Sequence, residues 1–145
     1  MENTARNTVI VGVDGSPQSV SALRYAAQLS AKLDHDLVAF TSWLPRIALE
    51  DYTPEWAPEQ DARDALEATI TEAFGEHVPA QLGRQVIMGP AAPNLIEASK
   101  GAALLVLGTR GRGGFKGLVM GSVSSSLAAH AKCPVLIHHG EDSTV

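Results

Sequence analysis

The sequence has one cysteine, no long apolar run and fewer positive than negative charges, and each shortage excludes a class of protein. Cys133 cannot form a disulfide within its own chain, which fits a reducing compartment. No stretch approaches the roughly 20 apolar residues of a membrane span. Residues 1–8 are polar and contain no apolar centre of a signal peptide. We therefore expect a cytoplasmic protein.

The charge balance argues against a broad surface for polyanions. The chain of 145 residues has 11 Lys and Arg against 16 Asp and Glu, a formal net charge of −5 at pH 7. Proteins that bind nucleic acid or anionic lipid neutralise phosphates with Lys and Arg. Neither partner is expected, although the balance does not exclude a local basic loop.

Short apolar runs alternate with stretches of helical periodicity along the whole chain. The runs predict strands over about 9–13, 37–43, 84–88, 104–107 and 135–138. The periodic stretches predict helices over about 17–33, 62–75, 94–100 and 122–131, with Gly101 left-handed just past the third helix. We predict one α/β domain over 1–145, a doubly wound parallel sheet of about five strands with about four helices on its two faces, and flexible ends near 1–7 and 140–145.

One segment breaks this alternation. Pro45, Pro54 and Pro58 cannot lie in a helix interior, and the residues between them are rich in carboxylates. We predict a long surface loop over about 44–60.

The first predicted strand ends in a polar turn, Asp14-Gly15-Ser16-Pro17. Ser16 is expected to cap the following helix and Pro17 to occupy its first position. Asp14 has two interpretations. An Asp before Gly is an ordinary turn residue; a carboxylate at this edge can also accept from ribose hydroxyls or help to hold a divalent cation.

The stretch after the fourth predicted strand is the most informative part of the sequence. Residues 108–114 read Gly-Thr-Arg-Gly-Arg-Gly-Gly, and Gly121-Ser122 opens the next helix, with Ser122 expected to cap it. Glycines at the carboxyl end of a buried strand let backbone N–H groups approach a ligand, and a helix N-terminus binds anions. In this interpretation, the N–H groups of the loop, of Gly121 and of Ser122 hold phosphate oxygens, and Arg110, Arg112 and Lys116 add positive charge.

The alternative is a flexible surface connection in which the glycines only relieve strain. The chain lacks the Gly-x4-Gly-Lys-Ser/Thr loop of strong NTPases, so efficient hydrolysis is not implied.

Written as a pattern, Gly108-x2-Gly111-x9-Gly121-Ser122 resembles the nucleotide-binding signature of the universal stress protein family, in the subset whose members bind ATP. The resemblance continues at 9–16, 89–91 and 133–137. It implies a strand order of 3-2-1-4-5, with strands 1 and 4 adjacent at the point where such sheets bind ligands. It also implies ATP with Mg2+ or Mn2+, and a homodimer through Val135, Leu136 and Ile137.

The resemblance and the loop chemistry together predict a set of nucleotide-binding residues. They are Val13, Asp14, Ser42, Gly108, Arg110, Gly111, Arg112, Gly113, Gly121, Ser122, Val123 and Ser124. Asp14 is also the expected metal contact, weak or indirect through Mg-ATP, and family members place backbone groups near Ser42 against the adenine edge. We expect a small regulatory or stress-response module that binds ATP; a slow ATP hydrolase and a nucleotide-independent dimeric interaction protein are the alternatives.

No catalytic residue is predicted. Asp14 is the one carboxylate that the sequence places at the site, and no second base or positioned histidine is legible. Cys133 is expected to be a structural thiol. His138 and His139 are adjacent on a strand and point to opposite faces, so they are poorly placed to chelate one ion.

Overall fold

Strands and helices alternate through the computed structural model, which describes residues 7–45, 57–109 and 121–140. Their order is β1 (Thr8–Gly12), α1 (Pro17–Leu33), β2 (Asp36–Trp43), α2 (Pro58–Phe74), β3 (Leu82–Met88), α3 (Ala91–Ser99), β4 (Leu104–Gly108), α4 (Ser122–His130) and β5 (Val135–His138).

The strands form one parallel sheet with β1 at its centre. The order is β3-β2-β1-β4-β5, and Val11 of β1 lies between Ala39 of β2 and Val106 of β4. Val9 and Val11 are buried on one face of the sheet and Ile10 on the other, which explains why β1 is a continuous apolar run rather than an alternating one. The predicted fold class and strand order are confirmed.

The two faces of β1 lead to two separate halves of the core. Val11 packs in a cluster with Leu23 of α1 and Ile70 of α2, whereas Ile10 packs in a cluster with residues of α3 and α4, among them Leu127. Successive side chains of a strand point to opposite faces, so α1 and α2 cover one face and α3 and α4 the other. The helix that follows β1 therefore lies on one face of the sheet, and the helix that follows β4 lies on the other.

The start of α1 follows the local sequence signals. The Ser16 Oγ accepts from the Ser19 N–H at 3.2 Å, and Pro17 is the first helical residue. Gly15 has φ +85°, a backbone conformation that a residue without a Cβ adopts at no steric cost. The predicted cap and first helical position are confirmed.

The predicted loop over 44–60 was too long at its carboxyl end. Helix α2 already begins at Pro58, because proline has no N–H to lose in the first turn of a helix. Residues 46–56, which contain most of that predicted loop, lie outside the described residues.

The bounds of two further elements also differ from prediction. β3 begins at Leu82, which is buried and pairs with Leu37. α3 begins at Ala91 instead of Asn94, since Pro93 is tolerated in a first turn. Gly101 is not left-handed: the chain leaves α3 through short-range bonds, such as that from the Ala102 N–H to the Ser99 oxygen at 3.2 Å.

Within the described ranges, no helix combines the length and the hydropathy needed to cross a bilayer.

Arg24 joins the two helices that cover one face of the sheet. Its Nε donates to the Ala73 carbonyl and its Nη2 to the Glu72 carbonyl, each at 3.1 Å. The last carbonyls of a helix have no partner inside it and carry the negative end of its dipole. The guanidinium of Arg24 therefore stabilises the end of α2 and its packing on α1.

Replacing Arg24 by Ala should lower the free energy of unfolding by about 1–2 kcal/mol, because two charge-assisted hydrogen bonds are lost at a partly exposed position. The matched control is Arg63→Ala on α2, which removes an exposed ion pair with Glu59 and should cost about 0.3–0.5 kcal/mol. Urea unfolding of both variants measures the difference. Equal losses would contradict a special role for Arg24.

Candidate functional site

The ends of β1 and β4 meet at one edge of the sheet. The two strands are parallel neighbours, with Val9 beside Leu104 and Val11 beside Val106, so both chains leave the sheet on the same side. β1 continues into the turn at residues 13–16 and α1, on one face; α4 lies on the opposite face. We call the space between this turn and the first turn of α4 the crevice; it lies at the carboxyl ends of neighbouring strands, where open α/β sheets bind their ligands.

Asp14 lies in the turn that forms one side of this crevice. Its side chain is exposed, and its Oδ1 accepts a hydrogen bond from the Ser16 N–H at 2.9 Å. The interpretation of Asp14 as a turn residue is therefore confirmed. A contact between this exposed carboxylate and a ligand stays a prediction.

The amino-terminal end of α4 forms the other side of the crevice. Gly121, with φ −77° and ψ 174°, occupies the capping position, and Ser122 is the first helical residue. The prediction that Ser122 caps this helix was wrong, because the capping position falls one residue earlier, on a residue without a side chain. Among the described residues, no side chain caps this end of α4.

The Gly121 N–H is already bonded within the protein, where it donates to the Thr109 carbonyl. It is therefore not open to a phosphate in this structure, in contrast to the predicted arrangement. Helix geometry leaves the N–H groups of Ser122, Val123 and Ser124 without an acceptor inside the helix. These three groups are the ones that suit an anion.

Ser124 fixes the first turn of α4 to the end of β4. Its side chain is buried, and its hydroxyl donates to the Gly108 carbonyl. The hydroxyl therefore has a structural role, whereas the predicted contact with a ligand depends on the backbone N–H of the same residue.

Val13 and Ser42 extend the site along the sheet edge away from α4. Val13 is buried, and its N–H donates to the Phe40 carbonyl at 2.8 Å, which prolongs the pairing of β1 with β2. Ser42 is half-buried near the end of β2, beside Ile87 of β3. The sheet order places Ser42, Asp14 and Gly108 in a row, and the bond from Ser124 holds α4 beside Gly108. This arrangement suits an elongated ligand with its anionic end at α4.

The remaining predicted residues, Arg110, Gly111, Arg112 and Gly113, lie outside the described residues, as does Lys116.

The comparisons with known proteins agree with this architecture. Residues 5–139 match the model of the Universal stress protein family. The chain belongs to the universal stress protein family.

Three relatives illustrate the range of similarity within the family. A universal stress protein of Mycolicibacterium smegmatis is 35% identical over 134 residues, 92% of this chain and 46% of that protein. A universal stress protein crystallised in complex with cAMP is 29% identical with a TM-score of 0.63, covering 94% of this chain and 99% of the other. UspA from Lactobacillus plantarum has the same fold, with 22% identity and a TM-score of 0.72, covering 92% of this chain and 98% of the other. The chain spans about half the length of the curated relatives that it matches.

Sequence reasoning missed two residues of this universal stress protein site. Thr109, which is buried, donates its hydroxyl to the Oε1 of Gln18 at 2.5 Å. These residues are 91 positions apart, and no local pattern marks such a contact. The one sequence feature that indicates a role for Thr109 is its position, as a polar residue directly after a buried strand.

His138 and Cys133 have environments that fit structural roles. The ring of His138 lies 5.0 Å from that of Tyr25, and its Nδ1 accepts from the Gly140 N–H at 3.1 Å. Burial raises the pKa of the Cys133 thiol, which disfavours the nucleophilic thiolate. Within the described ranges, no three His, Cys, Asp or Glu side chains are grouped so that they could hold a metal ion.

Replacing Ser124 by Ala should lower the free energy of unfolding by about 1 kcal/mol, because the buried bond to the Gly108 carbonyl is lost. Ser125→Ala is the matched control: Ser125 is exposed on the same helix, so the change in helix propensity is shared and its effect should stay within about 0.5 kcal/mol. Urea unfolding of the two variants makes the comparison. Indistinguishable midpoints would refute the anchoring role of Ser124.

Proposed function

We propose that this universal stress protein binds ATP together with a divalent cation, Mg2+ or Mn2+, in the crevice at the ends of β1 and β4. The protein then acts as a regulatory module, and the surface that it presents to other proteins depends on the bound nucleotide. One observation carries the proposal. The first turn of α4, without a side-chain cap among the described residues, is fixed beside the end of β4 by the bonds of Ser124 and Gly121.

The phosphates bind at this helix end. The N–H groups of Ser122, Val123 and Ser124 converge there, and the helix dipole favours negative charge. Arg110 and Arg112, which the sequence places between β4 and α4, add positive charge. Gly108 and the loop glycines Gly111 and Gly113 complete the predicted set, and Gly121 contributes through its lack of a side chain.

The ribose and the base extend along the sheet edge toward β2. Asp14 accepts from ribose hydroxyls or contacts the cation, while backbone groups of Val13 and Ser42 border the adenine. A carboxylate so near the phosphates would repel them, and Mg2+ or Mn2+ removes this conflict because both groups are oxygen ligands that such cations prefer. The chemistry of the available donors therefore fits a nucleotide-bound cation better than a cation held by the protein alone.

The comparison supports the class of ligand. The universal stress protein that is 29% identical over nearly the whole of both chains was crystallised with cAMP, an adenine nucleotide. The choice of ATP within this class depends on the complete pattern from Gly108 to Ser122. We propose binding without efficient turnover, since Asp14 is an exposed turn residue and the proposed phosphate contacts are backbone amides, which cannot act as a base.

We also propose that the protein forms a homodimer through β5. This strand lies at the edge of the sheet, and its residues, including Val135, Leu136 and Ile137, are only half-buried. An apolar edge strand invites pairing with a second chain.

Replacing Ser122 by Asp tests the proposed phosphate site. A negative charge at the first position of α4 should stabilise the helix through its dipole, yet it should weaken Mg-ATP binding about tenfold or more by repelling the phosphates. The matched control is Ser122→Asn, which has a similar size without the charge and should change the affinity by less than about threefold. Calorimetric titration measures binding, and urea unfolding measures stability.

Two outcomes would contradict the proposal: wild-type protein that shows no saturable heat with Mg-ATP, and a Ser122→Asp variant that binds Mg-ATP as the wild type does. Titration with adenosine separates repulsion of the phosphates from any other effect of the substitution on binding. Because adenosine has no phosphate, Ser122→Asp should leave its affinity almost unchanged.

A further inference from the structure

Gln18, in the first turn of α1, contacts the residue that directly follows β4. Its Oε1 accepts from the Thr109 hydroxyl, and Thr109 is 5% exposed. A buried hydrogen bond between two side chains is directional, and breaking it leaves a polar group without its partner. The contact therefore constrains the position of Thr109 relative to α1.

A steric contact at the neighbouring residue adds to this constraint. A Cβ built on Gly108 would lie 3.1 Å from the Cβ of Gln18, tighter than most such contacts in proteins. The glycine at the end of β4 thus lets the first turn of α1 approach the strand closely. Gln18 is held against two successive residues, Gly108 by packing and Thr109 by a hydrogen bond.

Thr109 also contacts α4. Its carbonyl accepts the N–H of Gly121, the residue at the capping position of that helix. One residue therefore joins both helices, α1 through its side chain and α4 through its main chain. A shift of Thr109 would move the first turn of α4 relative to the turn that contains Asp14.

We propose that Gln18 is a positioning residue that sets the amino-terminal end of α4, through Thr109, at the distance from the β1–α1 turn that a nucleotide polyphosphate requires. The effect on nucleotide affinity rests on the function proposed above, whereas the placement of α4 does not. Gln18 acts here without touching the phosphates.

The binding test compares Gln18→Ala, Thr109→Val and the double variant in titrations with Mg-ATP and with adenosine. Each single variant should weaken Mg-ATP binding about three- to tenfold, and the double variant should be no weaker than the worse single one, because both remove the same bond. Adenosine affinity should change by less than about twofold, since only the phosphates contact α4. Thr109→Ser, which keeps the hydroxyl, and Gln28→Ala, on the exposed part of α1, should both bind as the wild type does.

A second measurement does not need a ligand. Amide hydrogen exchange in the absence of nucleotide should be about three- to tenfold faster at Gly121 in Gln18→Ala and in Thr109→Val, because the bond to the Thr109 carbonyl opens more often. The Leu105 amide, which donates to Pro134 at 3.0 Å, should be unaffected.

Unchanged exchange at Gly121 in Gln18→Ala would overturn the inference. So would losses in Mg-ATP affinity that add in the double variant, or an equal loss for adenosine, which indicates general damage to the fold. If the wild type binds no nucleotide, the proposed function fails, and the exchange rate at Gly121 still decides whether Gln18 positions α4.

Discussion

The burial of β1 on both faces is the constraint on which the rest of the structure depends. A central parallel strand has no solvated face, so its alternate side chains need two separate layers of helices. Val11 meets α1 and α2, and Ile10 meets α3 and α4. The helix that follows β1 and the helix that follows β4 therefore lie in opposite layers, on either side of the ends of these two strands. The position of the crevice is thus a consequence of how the core is buried.

Within that crevice, the protein uses several polar groups to hold itself together. The Ser124 hydroxyl, the Gly121 amide and the Thr109 hydroxyl all bind other parts of the chain. These internal bonds determine which N–H groups can bind an anion. The N–H groups in the first turn of α4 can do so, whereas the N–H of Gly121, at the capping position, is already bonded. Internal bonds of this kind also reduce the reorganisation that binding requires, since the donors are already aligned.

The sequence predicts this fold better than it predicts the site, for physical reasons. Buried runs and the pair Ser16-Pro17 are local signals, and local signals gave the element types and the start of α1. The strand order came from the family resemblance, since periodicity does not contain it. The error at Ser122 arose at a helix end that is held by a contact across the loop, from the Gly121 N–H to the Thr109 carbonyl. The error at Gly101 has a local cause, because short-range bonds close the end of α3 without a left-handed residue. The Gln18 contact joins distant segments, so only the fold reveals it.

Helix α1 contacts both the end of β4, beside the crevice, and the edge strand β5. Gln18 and Tyr25 are two turns apart on one side of α1; the first meets Thr109 at the end of β4, and the second lies against the ring of His138 on β5. β4 and β5 are paired there, with Gly108 beside His138. If α4 binds phosphates and β5 pairs with a second chain, α1 contacts elements next to both sites, through Thr109 and through His138. Linkage between two sites requires such a shared element, and it requires that each event affect the other equally.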